Sequence, residues 1–205
     1  MVERFAGYVS SVLIRAGAAP EKDRPFLNYG LFCLFSGGIQ ITLLLFLSLL
    51  SQTVVQVAIF TFFFGLLKRT IGGWHAKRHI SCLVLFTTLA LGCAQIGKRL
   101  TTPFVLPLTL LSAAIMWCIV WKRAPVEHPN NPQKPERLAE LKQISRLLAC
   151  GELAAIMIAA TALRHTCFSG YPLCAAMGST AAAIALMVPN ALPEKQKGGS
   201  EHEKD

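Results

Sequence analysis

The chain has 205 residues, of which 53% are apolar and only 15% charged, with a mean hydropathy of +0.49. Soluble domains carry about a quarter charged residues, so the deficit excludes an ordinary water-soluble domain and points to lipid as the solvent. The net charge of +9 is compatible with nucleic acid in sum but not in distribution, because the charges sit in clusters between long apolar runs.

Residues 1–28 open the chain. Phe5, Tyr8, Val9, Val12 and Leu13 repeat at i, i+3, i+4, i+7, i+8, with Arg4, Ser11 and Arg15 elsewhere on the surface. This predicts an amphipathic helix, either lying in the membrane interface or packed on the cytoplasmic side of the protein itself. Arg15 interrupts the apolar stretch, so it does not read as a signal peptide.

No Asp, Glu, Lys or Arg occurs in residues 25–67, 79–97, 100–121 or 165–193. A spanning helix needs about 20 apolar residues, so the first gap holds two helices and the others one each. These are predicted at 29–50 and 54–67 (joined by Ser51-Gln52-Thr53), from about Ile80, from about Pro103, and at 171–188. A further span at 147–163 is interrupted only by Glu152 and is preceded by a polar helix from about Pro135. The expectation is an all-α polytopic membrane protein with six transmembrane helices over 29–190. An interfacial N-terminal segment precedes them, and a disordered tail follows over 191–205.

With the N-terminus inside, Lys and Arg number seventeen in the inner segments. The outer segments hold only Lys98, Arg99 and Arg164. This positive-inside bias places both termini, and the segment after the second span, at the cytoplasmic face of the cell membrane. The basic charge reads as topology plus attraction to anionic lipid, with no nucleic-acid partner.

That segment, residues 68–82, carries most of the chemistry: Lys68, Arg69, Gly72-Gly73, His75, Lys77, Arg78, His79 and Cys82. Gly-Gly should end the second span in a turn, leaving Cys82 in the first turns of the third. There the helix N-terminus, with Lys77 and Arg78, favours thiolate, and free N–H groups could hold an oxyanion. Spacing favours His79 as the base, three residues before Cys82. In an unbroken helix His75 would stand about 10.5 Å away along the axis, so it serves only if the Gly-Gly turn folds it back. The plain reading of the segment is a solvated basic loop with a filler cysteine.

Arg69-x-x-Gly72-Gly73-x-His75-Ala76-Lys77 followed by Cys82 resembles the signature of the accessory gene regulator B family, membrane peptidases that process quorum-sensing propeptides. Residues 124–132 resemble the family's loop between the fourth and fifth spans, and Tyr29-Gly30 is a weaker match. The resemblance implies His75 as base and Cys82 as nucleophile, supported by Arg69, Gly72 and Gly73. Lys77, Arg78, His79 and Glu152 remain candidate substrate contacts. It implies a thiol endopeptidase that removes the C-terminal segment of a small AgrD-like propeptide through an acyl-thioester. The ring then closes as a thiolactone or lactone. Homodimerisation is compatible with this reading.

No metal or cofactor is expected, since the chain has neither HExxH nor a Walker loop. Glu152 is a functional candidate as an intramembrane carboxylate, or an interfacial residue given Arg146 nearby. Cys167 and Cys174 flank the outer loop and could pair. One rival reading is a non-enzymatic transporter or channel with a basic loop, in which Gln40 and Glu152 are essential. A weaker one is a redox sensor using Cys82.

Overall fold

The computed structural model describes residues 2–71, 79–100, 102–124 and 135–187. Among these the chain is helical throughout: α1 Val2–Arg15, α2 Arg24–Leu50, α3 Val54–Ile71, α4 His79–Arg99, α5 Thr102–Arg123, α6 Pro135–Ala162 and α7 Tyr171–Ile184. Five of them, α2 to α6, are long and apolar enough to cross a membrane. The boundaries refine the expectations. α2 starts at Arg24, directly after Asp23 and ahead of the expected Tyr29, with Pro25 in its first turn, where a missing N–H costs nothing. α3 continues past Lys68 and Arg69 to Ile71, and those two cations sit favourably at its C-terminal dipole. The polar helix from Pro135 and the fifth span form one continuous helix.

α1 is helical, and its contact face is made of small residues. Ala6 and Ser10 are buried, whereas Phe5, Tyr8 and Val12 remain exposed. Ser10 hydrogen-bonds Asn28, Arg24 donates to Ser11, and Phe5 meets Phe35 edge-on at 4.9 Å. The helix is therefore docked on α2 while still presenting a large apolar surface outward.

The turn between α2 and α3 is tight: Gln52 adopts φ +52 and lets the chain reverse within three residues. Lys98 and Gln95, near the end of α4, donate to the carbonyls of Gln52 (3.0 Å) and Ser51 (3.4 Å). This places the end of α4 beside that turn and the start of α4 at the opposite end of the bundle.

α7 lies at the centre. It packs on α3, α5, α6 and α4, and ten of its fourteen residues are buried. Small side chains make this possible. A Cβ on Gly178 would run into the Phe60 backbone of α3, and a Cβ on Gly170 into that of Gly97. Thr180 adds a 2.7 Å bond to the Ser112 carbonyl of α5. Close backbone approach through small residues is the usual basis of helix association in lipid, where burying Leu gains little. α7 has only fourteen helical residues and stops short of the expected Val188. All seven cysteines are free, so Cys167 and Cys174 do not pair; Cys174 is buried beside Gly97 and Cys167 is exposed.

Candidate active site

Cys82 is the fourth residue of α4 and is half-buried. The first turn of a helix leaves N–H groups without intrahelical acceptors. Cys82 opens onto a cleft of about 470 Å³ lined by α2, α3, α4 and α7. On α4 the lining runs Cys82, Leu85, Phe86, Leu89, the i, i+3, i+4, i+7 stripe of one helical face. Phe64 and Lys68 come from α3, Gln40 from α2, and Ile184 from the end of α7.

Two polar features stand in this apolar cleft beside the thiol. Lys68 is half-buried and lines the same cleft as Cys82. A cation in the same cleft as a nucleophile can stabilise an oxyanion formed there. Gln40 donates to the Thr87 hydroxyl at 2.9 Å, tying α2 to α4 about one and a half turns deeper than Cys82.

The sequence-predicted residues divide into three groups. Cys82 is placed at the cleft, and Arg69 is exposed in the last turn of α3. His79 opens α4 three residues before Cys82, with its side chain outside the described set. His75, Gly72, Gly73, Lys77 and Arg78 lie outside the described residues, as does the loop of residues 125–134. Glu152 is elsewhere: it is 3% exposed, bonds Ser179 of α7 at 2.5 Å, and does not line the Cys82 cleft. It is thus buried within the bundle and, in this arrangement, apart from the cleft that holds the thiol.

The sequence places Lys68 in the chemistry-bearing segment but gives it no role of its own. The available signal was its position in the last turn of the helix that precedes the Cys82 helix. Thr87 and Ser179 were missed as partners, because hydroxyls in apolar runs give no periodic signal.

The accessory gene regulator B family model matches residues 3–186. The chain belongs to the accessory gene regulator B family. Membership implies involvement in accessory gene regulator peptide processing, and the five apolar helices agree with a multi-pass membrane protein. No curated protein and no solved structure matches the chain.

Proposed function

We propose that this protein is an integral-membrane cysteine endopeptidase that cleaves the C-terminal segment from a small AgrD-like propeptide and cyclises the remainder. The observation that carries this reading is Cys82 itself: a half-buried thiol in the first turn of α4, beside Lys68, opening onto an apolar cleft.

His75 takes the Cys82 proton, and the thiolate attacks the scissile carbonyl carbon. The carbon–sulfur bond forms while the carbonyl oxygen becomes an oxyanion, which the Lys68 ammonium and the free N–H groups of the α4 first turn stabilise. As the oxyanion collapses, the peptide C–N bond breaks. The departing amine takes its proton from the His75 imidazolium, leaving an acyl-thioester on Cys82. A Cys or Ser side chain within the bound peptide then attacks the thioester, loses its proton to His75 and expels the Cys82 thiolate. The product is a thiolactone or lactone. The apolar lining limits water, which would otherwise hydrolyse the thioester before ring closure.

The same reading takes Arg69, Gly72 and Gly73 as support for the His75 segment and Lys77, Arg78 and His79 as substrate contacts. It also takes both termini and the Cys82 end as cytoplasmic, supported by the seventeen-to-three distribution of Lys and Arg. α7 would then be the sixth crossing. At fourteen residues it rises only about 21 Å, but a helix surrounded by protein does not itself have to match the hydrocarbon thickness. α1 rests in the interface with Phe5, Tyr8 and Val12 toward lipid, and two copies of the chain could associate through their lipid-facing helices.

The test is to trap the acyl-enzyme. A propeptide whose ring-forming Cys or Ser is replaced by Ala can still acylate Cys82 but cannot resolve the thioester. A mass increase is expected on the Cys82 peptide, removable by hydroxylamine and absent from Cys82→Ala. Rapid release of cleaved linear peptide without an adduct would leave a peptidase but overturn the cyclisation step.

A further inference from the structure

A second site lies on the outer face of α6, where that helix meets the end of α5. A groove of about 370 Å³ is lined by Trp121 of α5 and by Ala139, Lys142, Gln143, Arg146, Leu147 and Cys150 of α6. It shares no lining residue with the Cys82 cleft. We propose that this groove binds an anionic phospholipid, its phosphate at Lys142 and Arg146 and an acyl chain along Leu147 and Cys150.

Three observations carry the assignment. The first is a polarity gradient. The α6 residues recur at i, i+3, i+4, i+7, i+8 and i+11, so they form one stripe. Its early part is Lys142, Gln143 and Arg146, and its late part is Leu147 and Cys150, with Leu147 72% exposed. A phospholipid has the same order, polar head then hydrocarbon. The second is depth. α6 has 28 residues and is about 42 Å long, against a hydrocarbon core of about 30 Å. Its first turns therefore stand in the headgroup zone, while Leu147 and Cys150 enter the acyl region. The third is a preset cation. The Arg146 guanidinium carbon lies 4.4 Å over the Trp121 ring, and Nη2 donates to the Trp121 carbonyl at 3.2 Å. Trp117 stacks on Trp121 at 5.0 Å and stiffens the shelf.

The electrostatics select the charge of the occupant. Lys142 and Arg146 line the groove, and in sequence Lys122 and Arg123 follow Trp121 while Arg137 stands in the first turn of α6, with Glu140 as the acid among the described side chains of these stretches. A guanidinium has five donors, and among the described residues Arg146 uses Nη2 on Trp121, so a phosphate can still be held at more than one oxygen. A basic pocket between helices at the cytoplasmic boundary is the usual setting for an anionic headgroup.

The full chain, reconstituted in phosphatidylcholine nanodiscs, tests this with a few mole per cent of phosphatidylglycerol brominated on its acyl chains. Tryptophan emission is read, because bromine quenches only at contact. Brominated phosphatidylglycerol should quench several-fold more than the same fraction of brominated phosphatidylcholine, and Trp121→Phe should remove that preference. Lys142→Gln, on an exposed side chain that does not hold the fold, should weaken the preference about fivefold, and adding Arg146→Gln should abolish it. Equal quenching by the two lipids, or a preference unchanged in the double variant, overturns the site. If millimolar glycerol phosphate abolishes the preference, the groove reads free phosphate and the lipid assignment fails. If an acidic peptide binds in pure phosphatidylcholine while brominated phosphatidylglycerol shows no preference, the groove is a peptide surface instead.

Discussion

α7 and α2 are similarly apolar, yet they do opposite things. α7 buries ten of its fourteen residues between α3, α4, α5 and α6. α2 buries only Ser36, Leu44 and Ser48 out of twenty-seven. The difference lies in side-chain size, not hydropathy. α7 offers Ala, Gly, Ser and Thr, which admit neighbouring backbones, whereas α2 offers Leu, Phe and Ile, which suit lipid. The Cys82 cleft opens on the loosely packed side, between α2 and α4. On the proposed function, the dense side is scaffold and the looser side leaves room for a substrate.

The sharpest test of that division is chemical. Cys82→Ala should reduce propeptide cleavage to background while membrane insertion stays normal, because on the proposed mechanism the thiol is the nucleophile and contributes to chemistry and not to spanning. Single replacement of Cys33, Cys118, Cys150 or Cys167, all exposed and none lining the cleft, should keep most activity. Immunoblots of processed and unprocessed propeptide read both. Full processing by Cys82→Ala would remove the loose side's claim to be the active side.

The two histidines follow. His75→Ala should eliminate cleavage and His79→Ala only weaken it, measured on the same propeptide. The reverse would mean that Cys82 uses its neighbour in α4 and that the positional match to the family signature misassigns the base. Lys68→Gln tests the residue brought to the thiol by the fold. It should lower the cleavage rate on the order of 10²-fold, since on the proposed mechanism the oxyanion forms in the cleft that Lys68 lines.

How much of this could be read beforehand depends on what each feature leaves in one dimension. The spans were legible because charge is expensive in hydrocarbon, so gaps between charges mark helices directly. The continuity of α6 was legible from the polar stretch after Pro135. The centrality of α7 was not, because in lipid every face of a helix is apolar and the periodicity that reveals a buried face in water is lost. Cys82 was legible through its setting of basic and glycine residues. Lys68 beside it, Gln40 on Thr87 and Glu152 on Ser179 were not, since each pairing joins helices whose relative rotation no single run of sequence encodes.

Glycine substitutions sharpen the comparison at the scale of stability. A side chain at Gly178 must displace the Phe60 backbone, which cannot move as a flexible side chain would, so Gly178→Leu should cost about 3 kcal/mol or more. Gly37, on α2, has open space where a Cβ would go. Gly37→Ala should be neutral or stabilising by up to about 1 kcal/mol, because alanine restricts the unfolded chain and favours helix. Thermal or denaturant unfolding in a fixed detergent reads both. Equal losses would mean that α7 is no more tightly packed than α2.

The smallest effect belongs to the hydrogen bonds that cross between helices. Glu152 and Ser179 join α6 to α7 on the dense side, and Gln40 and Thr87 join α2 to α4 at the cleft. Such bonds in membrane proteins contribute about 0.6 kcal/mol on average, because a separated helix finds other partners. Thr87→Val should therefore lower stability by about that amount. Its effect on cleavage should be larger in proportion, since Gln40 lines the cleft and loses the hydroxyl that orients it. Ser179→Ala removes the donor to a carboxyl that is 3% exposed and whose Oε1 already has no partner among the described residues. The loss should be greater, about 1–3 kcal/mol, and should fall on stability with little change in the cleavage rate of the folded fraction. Measuring both variants for unfolding and for cleavage separates the two sides. If Ser179→Ala impairs catalysis in folded protein while Thr87→Val does not, the functional side is the dense one, and Glu152 regains its claim as a substrate-linked residue.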